Sequence, residues 1–200
     1  MNAASAELQT LLTITKNLLL HKASPILCQF LMRWPEADAL SRPQSLTSLP
    51  VLQWIPSVAQ PITGDRERLV NELFNQHKSL SWRQTYQAED FGQLFLDRYG
   101  WTELIGERGP ICSNVLACGF LLLGPEVEYP LHSHDAEEVY VVLSGCASWQ
   151  SGSPFWRQEL PDAIIHHPAT MPHAIRTHTE PLLALYLWRG GNLSQKSLAG

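Results

Sequence analysis

Near residue 100 the hydrophobic period of the chain changes, and this limits its possible folds more than any other feature. Leu8, Leu11, Leu12, Ile14, Leu18 and Leu19 recur at helical spacing, which predicts a helix over residues 5–20. Ser24 and Pro25 have the pattern of an N-cap and a first helical residue, so a second helix is expected over 24–33. Residues 41–62 carry Pro43, Pro50, Pro56 and Pro61, the composition of a linker or wrapping loop. A third helix is expected after Thr63-Gly64-Asp65, with Leu69, Leu73 and Phe74 on one side, and a fourth over about 84–98, with Phe91, Leu94, Phe95 and Tyr99 as its stripe. From Trp101 onward the helical period is lost. Short apolar runs at 114–123, 137–144, 146–150, 163–166, 173–178 and 182–189 alternate with turn residues, the pattern of an all-β barrel or sandwich.

Composition narrows the function. Hydrophobic residues make up 44% of the 200-residue chain, enough for a real core. The formal net charge of -5, with no cluster of Lys and Arg, argues against nucleic acid as a partner. No run of 18 or more apolar residues is present, so no membrane span is expected. The N-terminus lacks a basic stretch ahead of an apolar one and reads poorly as a signal peptide. Cys28, Cys112, Cys118 and Cys146 form no C-x-x-C pair; they read as buried free thiols, which fits a reducing, cytoplasmic setting. A homodimer is left open.

The chemistry is concentrated in Tyr129-Pro-Leu-His132-Ser-His134-Asp-Ala-Glu-Glu138-Val-Tyr140. Residues two apart on a strand share a face, so His132 and His134 can point together into a barrel. Glu138 and Tyr140 share a face after a short turn, and His173 opens a later strand. Imidazoles with one carboxylate suit Fe, Zn, Mn, Ni, Co or Cu, with coordination positions left for a small-molecule substrate. A lone histidine is more often an incidental core or surface residue, but four such residues in this spacing make coincidence a poor explanation. His166, His167 and His178 read as structural. Trp34, Trp54 and Trp82 read as packing between helices and barrel.

These residues resemble the cupin motifs. His132, His134, Glu138 and Gly145 fit G-x5-H-x-H-x3-E-x6-G, although seven residues separate Gly124 from His132 where the motif has five. Pro168 and His173 fit G-x5-P-x-G-x2-H-x3-N, with Asp162, Thr170 and Thr177 in place of two glycines and the asparagine. The resemblance covers about 101–192 and implies a mainly β chain: a double-stranded β-helix barrel with a helical extension over 1–100 and a tail over 193–200. Within cupins, the helical extension and the pattern H-S-H-x-x-E-E-V-Y resemble the cupin-type dimethylsulfoniopropionate (DMSP) lyases. That resemblance implies one divalent transition-metal ion on His132, His134, Glu138 and His173. It also implies cleavage of DMSP to dimethyl sulfide and acrylate, with Tyr140 as the catalytic base. The positive sulfonium needs aromatic faces, for which Tyr129, Tyr186 and Trp188 are candidates; for the last two, core packing is an equal alternative. The competing readings are another cupin metalloenzyme, a dioxygenase or isomerase, and a cupin sensor that binds a small molecule. The sensor class normally adds a basic DNA-reading helix, and Arg66, Arg68 and Arg83 are too scattered to form one.

Overall fold

A computed structural model describes residues 5–36, 39–59, 63–195 and 198–199. Pro61 and the tail residues 196, 197 and 200 lie outside the described residues. The helices are α1 (Ala6–His21), α2 (Pro25–Leu31), α3 (Ile55–Val58), α4 (Asp65–Gln76), α5 (Ala88–Phe91) and α6 (Gln93–Asp97), with a 3-10 turn at Pro50–Trp54. The strands are β1 (Trp82–Arg83), β2 (Tyr99–Gly106), β3 (Ile111–Cys112), β4 (Leu116–Leu123), β5 (Glu128–Ser133) and β6 (Glu137–Ser144). They continue as β7 (Ala147–Ser151), β8 (Arg157–Glu159), β9 (Ile164–His167), β10 (His173–Thr177), β11 (Leu182–Arg189) and β12 (Leu198–Ala199).

Two sheets form the barrel. The larger runs β1-β2-β4-β11-β6-β9, with β3 beside β2, and the smaller runs β12-β5-β10-β7-β8. All pairs are antiparallel except β2 with β3. This is the cupin double-stranded β-helix expected from the motifs.

The sequence explains why the helices lie on only one of the two sheets. Every residue of β4 is buried, as are the first six of β11. A strand with both faces buried reads as a continuous apolar run, and these do. One face of each, through Phe120, Leu122, Leu183 and Leu185, joins Leu11, Leu19, Phe30, Leu69 and Leu73 of the helices in a common core. The opposite face, through Leu121, Leu123, Ala184 and Tyr186, lines the barrel interior with Tyr129, Trp149 and Ile175 of the smaller sheet. That smaller sheet shows its outer face to solvent, where Arg176 pairs with Glu128 at 2.6 Å. Trp82 is buried in the helix-side core, with Trp34 and Trp54 packed against it, as the sequence suggested. Arg189 and Lys22 tie helices to barrel: Arg189 bonds Glu137 and Gln29, and Lys22 reaches Asp162 at 2.5 Å.

Several local expectations need correction. The helix expected over about 84–98 is two short helices broken at Gly92, whose φ of 81° turns the chain. A capping box between Gln87 and Asp90 begins the first of them. Leu94 and Phe74 point outward, because in each case another residue of the same turn, Phe95 or Leu73, takes the core position. The 41–62 segment is partly helical. β2 and β5 were not resolved as strands by pattern alone: polar residues in TELIG and a proline in EYPLHS mask their alternation. The thiols are free as expected, but only Cys118 is buried; Cys28 is exposed.

Candidate metal centre

Antiparallel pairing of β5 with β10 sets His132 opposite His173, and His134 follows β5 directly. One ligand atom from each of these three buried histidines lies within 4.8 Å of the other two. Glu138, on β6 of the facing sheet, brings Oε2 to 3.1 Å from Nε2 of His134 and 3.2 Å from Nε2 of His173. All four expected ligands therefore converge.

The hydrogen bonds fix what this cluster can hold. Nδ1–H of His132 donates to the carbonyl of Pro130 at 2.7 Å, that of His134 to Ala136 at 2.8 Å, and that of His173 to Met171 at 2.9 Å. Each bond assigns the ring proton to Nδ1 and leaves Nε2 as a bare lone pair. Three such lone pairs and an anionic carboxylate facing one another in a buried site call for a shared positive charge, which a divalent metal ion supplies. The donor set fits that ion. Where no ion supplies that charge, a proton on His134 would supply part of it. Burial lowers the pKa of His134, but the Glu138 carboxylate outweighs it and holds the imidazole above its ordinary value. Burial works to raise Glu138, yet the hydrogen bonds and charges of His134 and His173 keep it well below the carboxylate range. Burial, then the neighbouring His173, lowers His132 to about 3.

The expected aromatic residues surround this cluster. β6 pairs with β11 so that Glu138 faces Trp188 and Tyr140 faces Tyr186. Nε1–H of Trp188 donates to Oε1 of Glu138, and its ring lies 4.0 Å from that of His134. Tyr129 stacks on His132 with centroids 4.2 Å apart. Burial, then the charge of Glu138, raises the Tyr140 hydroxyl well above its ordinary value. Glu138, Tyr140, Tyr186, Trp188 and Tyr129 all line one cavity of about 230 Å³.

Sequence reasoning missed part of this cavity. Gln84, Thr85, Tyr99, Trp101, Glu103 and Arg108 also line it. The signal was the alternation of Tyr99, Trp101 and Glu103 on one face of β2, hidden by the register shift that follows Glu103. His167, read as structural, ends β9, fully buried, and stacks on His173 at 4.2 Å. Burial, then the charge of His173, lowers His167 to about 3. His178 lies outside the barrel and hydrogen-bonds Ser148 at 2.9 Å.

The dimethylsulfoniopropionate lyase family model matches residues 31–184. The dimethylsulfoniopropionate lyase DddQ of Ruegeria pomeroyi is 41% identical over 109 residues, 54% of each chain. The putative dimethylsulfoniopropionate lyase DddL of Cereibacter sphaeroides is 33% identical over 120 residues, 56% of this chain and 46% of that protein. The chain thus spans about half the length of the curated relatives it matches. A crystal structure of DMSP lyase DddQ from Ruegeria pomeroyi DSS-3 superposes with a TM-score of 0.85 at 30% identity, covering 98% of this chain and 97% of that one. A crystal structure reported with the DMSP lyases RdDddP and RnDddQII gives 0.87 at 31% identity, covering 98% of both chains. With three-quarters of its length matched by the family model and its whole barrel and helical layer shared with solved members, the chain belongs to the dimethylsulfoniopropionate lyase family.

Proposed function

We propose that this protein is a metal-dependent carbon–sulfur lyase that cleaves DMSP to dimethyl sulfide and acrylate by β-elimination. The observation that carries this reading is the register of β6 against β11. It sets a tyrosine two residues beyond the ligand carboxylate and gives both an aromatic partner, so that ligand, base and aromatic wall share one cavity.

His132, His134, Glu138 and His173 would hold one divalent ion, with Fe, Zn, Mn, Ni and Co all compatible with imidazole and carboxylate donors. When bound, such an ion supplies a Lewis acid for the substrate carboxylate and a positive charge that favours the phenolate of Tyr140. The Tyr140 phenolate then takes the proton from the carbon next to the carboxylate. The electrons of that C–H bond form the new double bond, the C–S bond breaks with its pair going to sulfur, and neutral dimethyl sulfide leaves. Trp188, Tyr186 and Tyr129 offer ring faces to the sulfonium and keep water from the reacting carbons.

The reading extends to the setting. The helical layer over 1–100 covers the outer face of the larger sheet of the barrel over 101–192, which the common apolar core supports. The 193–200 tail borders the cavity through Leu193, Ser194 and Gln195. The free thiols support a cytoplasmic enzyme, as a monomer or homodimer. No helix among the described residues is long and apolar enough to cross a membrane.

The test is Tyr140→Phe, assayed by headspace dimethyl sulfide from metal-loaded protein. Loss of a general base costs about two to four orders of magnitude in rate, with metal content unchanged. Wild-type turnover in this variant would move the base elsewhere. Absence of dimethyl sulfide from wild type and variant alike would end the lyase reading.

A further inference from the structure

Among the lining residues of the cavity there are two carboxylates: Glu138, in the ligand cluster, and Glu103, which lies three strands away on β2 and is 5% exposed. The Cα register links Glu103 to Tyr140, two residues beyond Glu138, in a row. Tyr140 faces Tyr186, Tyr186 faces Gly119, and Gly119 faces Glu103. Gly119 contributes no side chain to this row. A Cβ there would come within 1.9 Å of the Thr102 carbonyl oxygen, so the position is held to glycine and the space between Tyr186 and Glu103 stays open.

Glu103 is held in place by main-chain groups. Its Oε1 accepts the N–H of Arg108 at 2.6 Å and of Gly109 at 2.8 Å. The Arg108 guanidinium points elsewhere, donating to the carbonyls of Leu193 and Ser194 and lying 5.7 Å from the centre of the Trp101 ring. Among the described residues Glu103 makes no ion pair. A buried carboxylate with amide donors but no direct ion pair is costly to keep charged, and burial raises its pKa although the more distant charges of Arg108 and Arg83 work against it. A ligand cation entering the cavity would supply the direct contact that the Arg108 guanidinium, turned to the carbonyls of Leu193 and Ser194, does not make.

We infer that Glu103 is a specificity-determining residue that draws the positive end of the substrate toward the wall formed by Trp101 and Tyr186, opposite the metal ligands. The inference rests on the lyase reading above. Such a group attracts a sulfonium and not the neutral sulfide that the reaction releases. Its attraction is strongest before the C–S bond breaks, so it acts on binding more than on the chemical step.

Glu103→Gln tests this, because the amide oxygen can still accept both main-chain N–H groups and keep the turn over Arg108 and Gly109. In metal-loaded protein, KM for DMSP should rise about tenfold with kcat little changed, the scale of one charge contact in a partly screened cavity. Inhibition by methylthiopropionate, which lacks the S-methyl cation, should not change. Glu103→Asp should recover most of the preference for the cation. Equal loss for charged and neutral ligands would make Glu103 a structural residue and overturn the proposal, as would no change in either. Binding of trimethylsulfonium, followed by tryptophan fluorescence, gives a readout that needs no turnover. If wild type released no dimethyl sulfide, the lyase reading would fall. Weaker trimethylsulfonium binding in Glu103→Gln would still support the carboxylate's role, and equal binding would refute it.

Discussion

Replacing Trp188 by Phe removes the indole N–H and leaves a smaller aromatic ring in its place. The hydrogen is the one that Nε1 donates to Oε1 of Glu138, while Oε2 of the same carboxylate faces His134 and His173. Glu138 is 1% exposed, so bulk solvent replaces the lost donor poorly. A hydrogen bond to a buried charged group contributes about 1.5–3 kcal/mol. At about 1.4 kcal/mol per factor of ten, that corresponds to roughly a 10- to 100-fold loss in metal affinity, the range found when a group that orients a ligand is removed. The Phe ring can keep part of the contact that the indole makes with His134 at 4.0 Å between centroids, so the fold should persist. The assay is competition with a chelator of known affinity at neutral pH on the folded variant. Because Trp188 is also proposed to touch substrate, KM does not decide the point; metal affinity does. An affinity within about twofold of wild type would refute the argument that this indole orients the carboxylate.

Other outcomes are expected. His132→Ala with His134→Ala should leave the purified protein without stoichiometric metal, and full occupancy would sink the ligand assignment. In metal-free protein, His132 and His167 titrate at about 3 when folded, against about 6.5 when unfolded. Their contribution to stability is complete above that unfolded value and is lost as pH falls toward 3, at about 1.4 kcal/mol per pH unit for each group. His134 is shifted upward and opposes this, but it is one group against two. The urea midpoint should therefore fall between about pH 7 and pH 5, and equal midpoints would show that the two rings are not held neutral. Thr170 adopts a φ of 64°, costly for a β-branched residue. Thr170→Gly should relieve about 1 kcal/mol and raise Tm by a few degrees, with its N–H still bonded to the His134 carbonyl at 2.8 Å; a lower Tm would show that the turn is not strained.

Thr170 also illustrates what could be read from the sequence. Four motif positions call for glycine: 126, 145, 162 and 170. Three carry Glu126, Asp162 and Thr170, yet all three adopt positive φ, at 53°, 77° and 64°, as Gly145 does at 80°. At 145 the requirement is absolute, since a Cβ would lie 2.0 Å from the Pro181 carbonyl oxygen. At the others the neighbouring structure supplies the constraint, so the turn persists where its residue signature is gone. Thr177 likewise stands at the asparagine position. Its hydroxyl donates to the Gly124 carbonyl at 2.7 Å and accepts the Val127 N–H at 3.0 Å, closing the same junction by a different side chain. The ligands were legible because metal chemistry permits few residue types. The far wall of the cavity was not, because Glu103 sits at the end of a regular alternation and Thr85 in a loop. Only the assembled barrel brings either to the cavity that Glu138 lines.

The three imidazoles of the cluster are oriented by the carbonyls of Pro130, Ala136 and Met171. None of these acceptors belongs to a side chain, and every amino acid carries one. Substitution at 130, 136 or 171 changes what projects from the backbone and leaves the acceptor itself unaltered. Heritable variation therefore has few ways to misdirect these rings. The path of the main chain must be disturbed, by an insertion or by a residue the local dihedrals will not accept. Side chains beside these acceptors can change without turning the rings away from an ion that the cluster would hold.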